Sequence, residues 1–249
     1  MKPILLLIIG IGCLGLYSCQ RAYYVPNAHN VPLFQNGGEV RLMASRSIEG
    51  QKTFDLQAAV SPVKYVGIMG NYFETSYNQL GNGHYYDYAV GGYFPFRNIV
   101  FELYVGQGFG YANNNFNLGR YIKNDFVKYF IQPNIGFTTK YMDIAYSARI
   151  ARLELINIRW WNHEDPSEIP GELQKLNSNN PALLYESAVT LRFGWKYGKI
   201  QMQFAGTSFR GQRKFDIIET NTSLGFLITL ARKNKPAWQP YIFRNIFKY

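Results

Sequence analysis

Apolar side chains fall on every second residue along ten stretches of this chain, and no other feature limits its folding so much. In Ile200-Gln201-Met202-Gln203-Phe204-Ala205, the large apolar residues share one face and the glutamines the other. Tyr185, Val189, Leu191, Phe193 and Trp195 oppose Glu186, Ala188, Thr190, Arg192 and Gly194. Met142, Ile144, Tyr146 and Ile150 oppose Asp143, Ser147 and Arg149 in the same way. A strand turns successive side chains to opposite faces, whereas a helix brings back every third or fourth. The chain is therefore expected to be all-β. Strands are predicted at 39–46, 52–60, 63–74, 84–94, 98–111, 125–139, 141–152, 184–196, 198–208 and 220–232.

Connections between these segments alternate in length. Short ones fall at Ser61-Pro62, Phe94 to Asn98, near Lys140 and at Tyr197-Gly198, and long ones at 47–51, 75–83, 112–124, 153–183 and 209–219. Short turns at one end and long loops at the other suit a transmembrane antiparallel up-and-down β-barrel of about ten strands. An even count leaves both ends of the barrel on the short-turn side. One strand face carries Asp55, Asp87, Glu102, Lys128, Asp143, Arg149, Glu186 and Arg192, expected to line the lumen and pair there. The other, with Phe101, Leu103, Phe193, Met202, Phe204, Phe226 and Ile228, is expected to meet lipid. The abundance of aromatics (20 Tyr, 18 Phe, 4 Trp) with a mean hydropathy of only −0.20 fits such two-faced strands. Alternation alone does not say which face is outside, so a soluble barrel with an aromatic core is the alternative. Residues 63–74 read half apolar on both faces. Pro133 removes a ladder donor and is expected at a bulge or a rim.

The first nineteen residues carry a different signal. Lys2 precedes an apolar run, Ile4–Leu16, too short to span a bilayer as a helix but suited to a signal-peptide core. It ends in Leu16-Tyr17-Ser18-Cys19, which looks like a lipobox, with Tyr17 departing from the usual small or branched residue. Residues 1–18 are therefore expected to be a lipoprotein signal peptide and Cys19 the lipidated N-terminus; an ordinary secretory signal is the alternative. The other cysteine, Cys13, lies in the segment removed, so no intrachain disulfide is expected. Residues 19–38, with Pro26 and Pro32, are expected to form an extended tether from an anchor on the periplasmic side of an outer membrane. The barrel follows over 39–232. Residues 233–249, with Trp238, Tyr241, Phe243 and Phe247 among Lys235, Arg244 and Lys248, are expected to be a periplasmic aromatic and basic tail.

Several segments also carry a likeness. Tyr24-Val25-Pro26-Asn27, Asn30-Val31-Pro32-Leu33 and Gly38-Glu39 resemble the opening of small outer-membrane β-barrel lipoproteins of Bacteroidota. Phe130 to Phe137 (FIQPNIGF) and Leu191 to Tyr197 (LRFGWKY) are similar to that family's middle and late strands. The likeness runs from about residue 19 to 232. It implies a membrane barrel in the cell envelope and carries over no activity and no catalytic residue.

Chemistry-bearing motifs are sparse. His29, His84 and His163 show no metal-ligand spacing, so neither metal nor cofactor is expected. Trp160, Trp161, His163, Glu164 and Asp165 form a polar and aromatic cluster assigned to the longest loop, a candidate contact surface. A base such as His163 lacks an identifiable nucleophile, so an enzyme is not expected. Alternate glycines at Gly106, Gly108 and Gly110 suggest a crowded lumen. The net charge of +10 is spread along the chain rather than clustered for nucleic acid. Arg21, Lys64, Arg97, Lys140, Lys196, Lys199, Arg232, Lys233, Lys235, Arg244 and Lys248 gather at the short turns and termini, where they would face anionic headgroups. The expected function is a structural or accessory envelope role within a larger complex. Partners would be outer-membrane lipids and outer-membrane or periplasmic proteins. A small pore or ligand-binding barrel is one alternative, a rim enzyme acting on lipid or peptide another.

Overall fold

The structure is a computed structural model, and it describes residues 23–48, 52–76, 81–115, 120–161, 171–178, 180–210 and 219–231. Period-two segments form ten antiparallel strands: β1 (Glu39–Ser47), β2 (Lys52–Val60), β3 (Val66–Ser76), β4 (Gly81–Phe96), β5 (Ile99–Asn115), β6 (Tyr121–Thr138), β7 (Met142–Trp161), β8 (Ala182–Trp195), β9 (Gly198–Arg210) and β10 (Thr220–Ala231). Each pairs with its sequence neighbours, and β1 pairs with β10 from Glu39↔Ala231 to Ser47↔Ser223, which closes the barrel. Closure leaves no free sheet edge. Among the described residues one helix, α1 (Gly171–Ser178), lies between β7 and β8.

The faces sort as the alternation implied. Asp55, Asp87, Glu102, Lys128, Asp143, Arg149, Glu186 and Arg192 are all buried inside the barrel. Phe101, Leu103, Phe193, Phe204, Phe226 and Ile228 are exposed on its outer surface, with Met202 half-buried. Side chains as large as Leu103 (53% exposed) and Val105 (56%) stand bare on consecutive outward positions. Water does not tolerate so extensive an apolar exterior around charges sealed inside, but a bilayer requires it. The soluble alternative, with an aromatic core, is thereby excluded.

Strand boundaries differ most in β7, which continues to Trp161 where a loop was expected from 153. Leu153 and Leu155 still point inward and are buried, while Arg152 and Glu154 point outward and pair at 3.6 Å. These outward charges masked the period. Trp160 and Trp161 consequently sit on a strand end, Trp161 stacked on Tyr121 at 5.7 Å between ring centroids. The irregularity expected at Pro133 falls elsewhere, between Lys123 and Asp125. At Pro133 the β6–β7 register is unchanged on either side, from Ile131↔Ile150 to Asn134↔Ser147. The ambiguous segment 63–74 begins as a turn and becomes β3, whose inward Met69 and Phe73 are apolar for a reason found in the lumen.

Candidate functional site: the plugged lumen

Residues Tyr23–Phe34 belong to the stretch, 19–38, expected to be an extended tether. They form no helix; they run through the barrel interior, and every one of them is buried. Two prolines and two asparagines remove any helical or strand period from this stretch, so its backbone must find partners among side chains. Inward-facing amides and charges provide them. Asn221 donates to the Pro26 carbonyl at 2.9 Å and Gln57 to that of Ala28 at 2.9 Å. Gln132 donates to the Asn30 carbonyl at 2.8 Å, Arg192 to Val31 at 2.7 Å and Arg41 to Leu33 at 2.8 Å. The N–H groups of Ala28, His29 and Phe34 donate to Asp55 (3.2 Å), Gln203 (2.7 Å) and Glu102 (3.2 Å). The strand side chains thus do for this segment what a partner strand would do.

Its direction is set by the same contacts. Phe34 packs on Tyr93 at 5.4 Å, near the β4–β5 turn, and Gly38 bonds Ser61 at the β2–β3 turn. Tyr24 packs on Phe126 at 5.9 Å, and a shallow apolar cleft beside it is lined by Tyr23, Thr75, Asn82 and Tyr111. Those residues are close to the long connections that follow β3 and β5. The segment therefore enters at the short-turn end and reaches the long-loop end at Tyr23. At that end Leu176 of α1 is buried in one apolar cluster with Ile122, Leu153, Leu155 and Leu184.

Besides the Glu39–Arg41 pair at 3.2 Å, two ion-pair groups brace the interior. Glu186 accepts from Arg149 at 3.1 Å and from the Tyr24 hydroxyl at 2.6 Å, with Lys128 at 3.6 Å. Lys128 donates to the Tyr24 oxygen at 2.6 Å, and Arg149 also donates to Asn27 at 2.9 Å and Gln132 at 2.8 Å. The second group joins Asp143 to Lys199 at 2.5 Å, with Arg192 at 3.8 Å. Lys199 was assigned to the basic ring of the short turns; it is buried here because β9 turns it inward. Asn71, Asp87 and Asn27 form a further hydrogen-bonded chain toward the segment.

Small residues make the room. A Cβ on Gly67 would stand 2.6 Å from the Tyr104 oxygen, and one on Gly136 would stand 2.5 Å from a methyl of Leu33. The lumen is full. Among the described residues no group of His, Cys, Asp and Glu is arranged to hold a metal ion, and no helix is long and apolar enough to cross a membrane. Of the three histidines, His29 is buried at the barrel centre, bonded through Nδ1 to Ser147 at 2.7 Å. His84 packs edge-on against Tyr111 on neighbouring strands at 4.2 Å, far in sequence from the contact cluster. Cys19, the signal segment 1–18, His163, Glu164, Asp165 and the tail 233–249 lie outside the described residues.

No protein-family model matches this chain, and no curated protein matches it. Among solved structures, the N-terminal β-barrel domain of Pseudomonas aeruginosa OprF is similar with a TM-score of 0.39 and 10% identity, over 79% of this chain and 100% of that one. A KdgM porin is similar with a TM-score of 0.36 and 11% identity, over 76% and 98% of the two chains.

Proposed function

We propose that this chain is an outer-membrane β-barrel lipoprotein with a structural or accessory, non-catalytic role, working within a larger envelope complex. The observation that carries this reading is the passage of the chain's own residues 23–34 along the barrel interior, from Phe34 near the short turns to Tyr23 near the long loops. A pore or a ligand-binding barrel needs free volume along its axis. Here that volume holds a hydrogen-bonded segment and paired charges.

The short-turn rim supports the membrane placement. Each of its four turns sets a cation over a neighbouring aromatic ring: Lys64 over Tyr65 (4.8 Å), Arg97 over Phe96 (5.7 Å), Lys140 over Tyr141 (5.1 Å) and Lys196 over Tyr197 (5.3 Å). Aromatic rings favour the headgroup level, and each nearby cation gains about 1 kcal/mol from an anionic surface. This rim suits the inner leaflet, with the long loops outside the cell.

Planar-bilayer recording tests the reading. The purified barrel should insert without discrete conductance steps, and mild-detergent extraction of native membranes should recover it with other envelope proteins. Reproducible ion-selective steps from the wild-type chain would replace this reading with the pore.

A further inference from the structure

The lumen segment runs toward the long loops, and this direction bears on where the chain starts. We propose that the N-terminus at Cys19 emerges on the long-loop face of the barrel, so that its acyl chains sit in the leaflet bordering those loops. The proposal rests on the lipoprotein reading for the acyl chains, but the route of the backbone stands apart from it.

The argument is one of reach. Three residues, Gln20, Arg21 and Ala22, separate Cys19 from Tyr23. Fully extended, that span covers roughly 14 Å at ~3.5 Å per residue. The apolar band of a membrane barrel is about 25 Å tall. Tyr23 lies beside Thr75 and Asn82, each one residue from the long-loop end of its strand. From there Cys19 reaches the near leaflet easily and the far one not at all. The axial route back is closed, because Pro26 to Phe34 occupy it.

The route is also firmly specified. Side chains from β1, β2, β5, β6, β8, β9 and β10 bond backbone atoms of Pro26 to Phe34. Reversing the segment would leave these buried donors and acceptors mismatched, at a cost for each. The sequence alone suggested the opposite leaflet, because β1 begins on the short-turn side. That expectation took no account of a segment doubling back through the barrel. With the long loops facing the medium, the protein displays a lipid-bearing N-terminus at the cell surface while its C-terminal strand ends on the other side.

Thiol labelling of intact cells with a membrane-impermeant maleimide tests this. Arg21→Cys reads the N-terminus, Asn162→Cys the connection after β7, and Asn98→Cys the β4–β5 turn. Arg21→Cys should label together with Asn162→Cys, while Asn98→Cys labels only when the outer membrane has been opened. An epitope inserted between Gln20 and Arg21 should likewise bind antibody on intact cells. If Arg21→Cys and the epitope behave as Asn98→Cys does, the proposal is overturned. Wild type, its Cys19 sulfur acylated, should stay unlabelled. Labelling of wild type would sink the lipoprotein reading alone, leaving the side reported by Arg21→Cys to judge the route.

Discussion

Gln203 holds the backbone of His29 at both of its polar groups: its side-chain oxygen accepts the His29 N–H at 2.7 Å, and its amide nitrogen donates to the His29 carbonyl at 3.0 Å. The amide nitrogen also reaches the Thr190 hydroxyl at 2.8 Å. A glutamine therefore occupies the place that a backbone unit would fill in a sheet. Replacing it with leucine leaves a buried donor and a buried acceptor unpaired, each costing about 1–3 kcal/mol. Urea unfolding in detergent should show Gln203→Leu destabilised relative to Met202→Leu, a substitution on the outward face of the same strand.

Removing the carboxylate of Glu186 strands two cations. Breaking a buried pair from one side costs about 3–5 kcal/mol. Glu186→Ala should lower the unfolding midpoint sharply. Adding Lys128→Met should recover part of the loss, because one of the two stranded charges goes with it. A double variant no better than Glu186→Ala would show that Lys128 is held by something else, such as the Tyr85 ring 4.7 Å away.

The Gly136–Leu33 contact couples barrel wall to lumen segment. Gly136→Ala overpacks it, at a cost of about 1–3 kcal/mol. Leu33→Ala vacates space at the same point. The two substitutions together should be less damaging than their separate effects summed, a coupling measurable by a double-mutant cycle. Strict additivity would mean that the segment does not lie against β6.

Phe204 stands 41% exposed on the outer face of β9. Arginine there meets lipid rather than water, which costs about 2–4 kcal/mol near mid-membrane. Phe204→Arg should fold poorly into lipid bilayers compared with Phe204→Leu, as followed by the heat-dependent gel shift of folded barrels. Equal folding of the two variants would contradict the orientation of that face.

Much of this architecture was legible because strands bearing lipid on one side and charge on the other repeat their pattern without interruption. Asp55, Glu102, Arg149 and Glu186 read as inward-facing from their neighbours alone, and they are. Arg152 and Glu154 hid the last turns of β7, since outward polar residues erase the contrast on which the pattern depends. The lumen segment was illegible for a deeper reason. Its bonding partners are single side chains from distant strands, and such pairing imposes no period on Tyr23 to Phe34. A signal existed on the barrel side: Gln57, Gln132, Gln203 and Asn221 all point inward. Amides both donate and accept, as a backbone does, and charged residues alone would have sufficed to fill a lumen. The inward Met69 and Phe73, which blurred β3, share the buried apolar cluster of Val25, Val31, Leu33 and Phe34.

Closing the β1–β10 seam is an irreversible decision about what is inside. The segment precedes β1 in the chain yet bonds Asn221 of β10, 195 residues away from Pro26. A barrel sealed with residues 23–34 left outside would trap Arg149, Arg192 and Glu186 without several of their partners, and no gap would remain for late insertion. Residues 23–34 must therefore lie along the curling sheet until the last strand arrives. For this chain, biogenesis resembles wrapping a cable in its sheath rather than pulling one through a finished pipe.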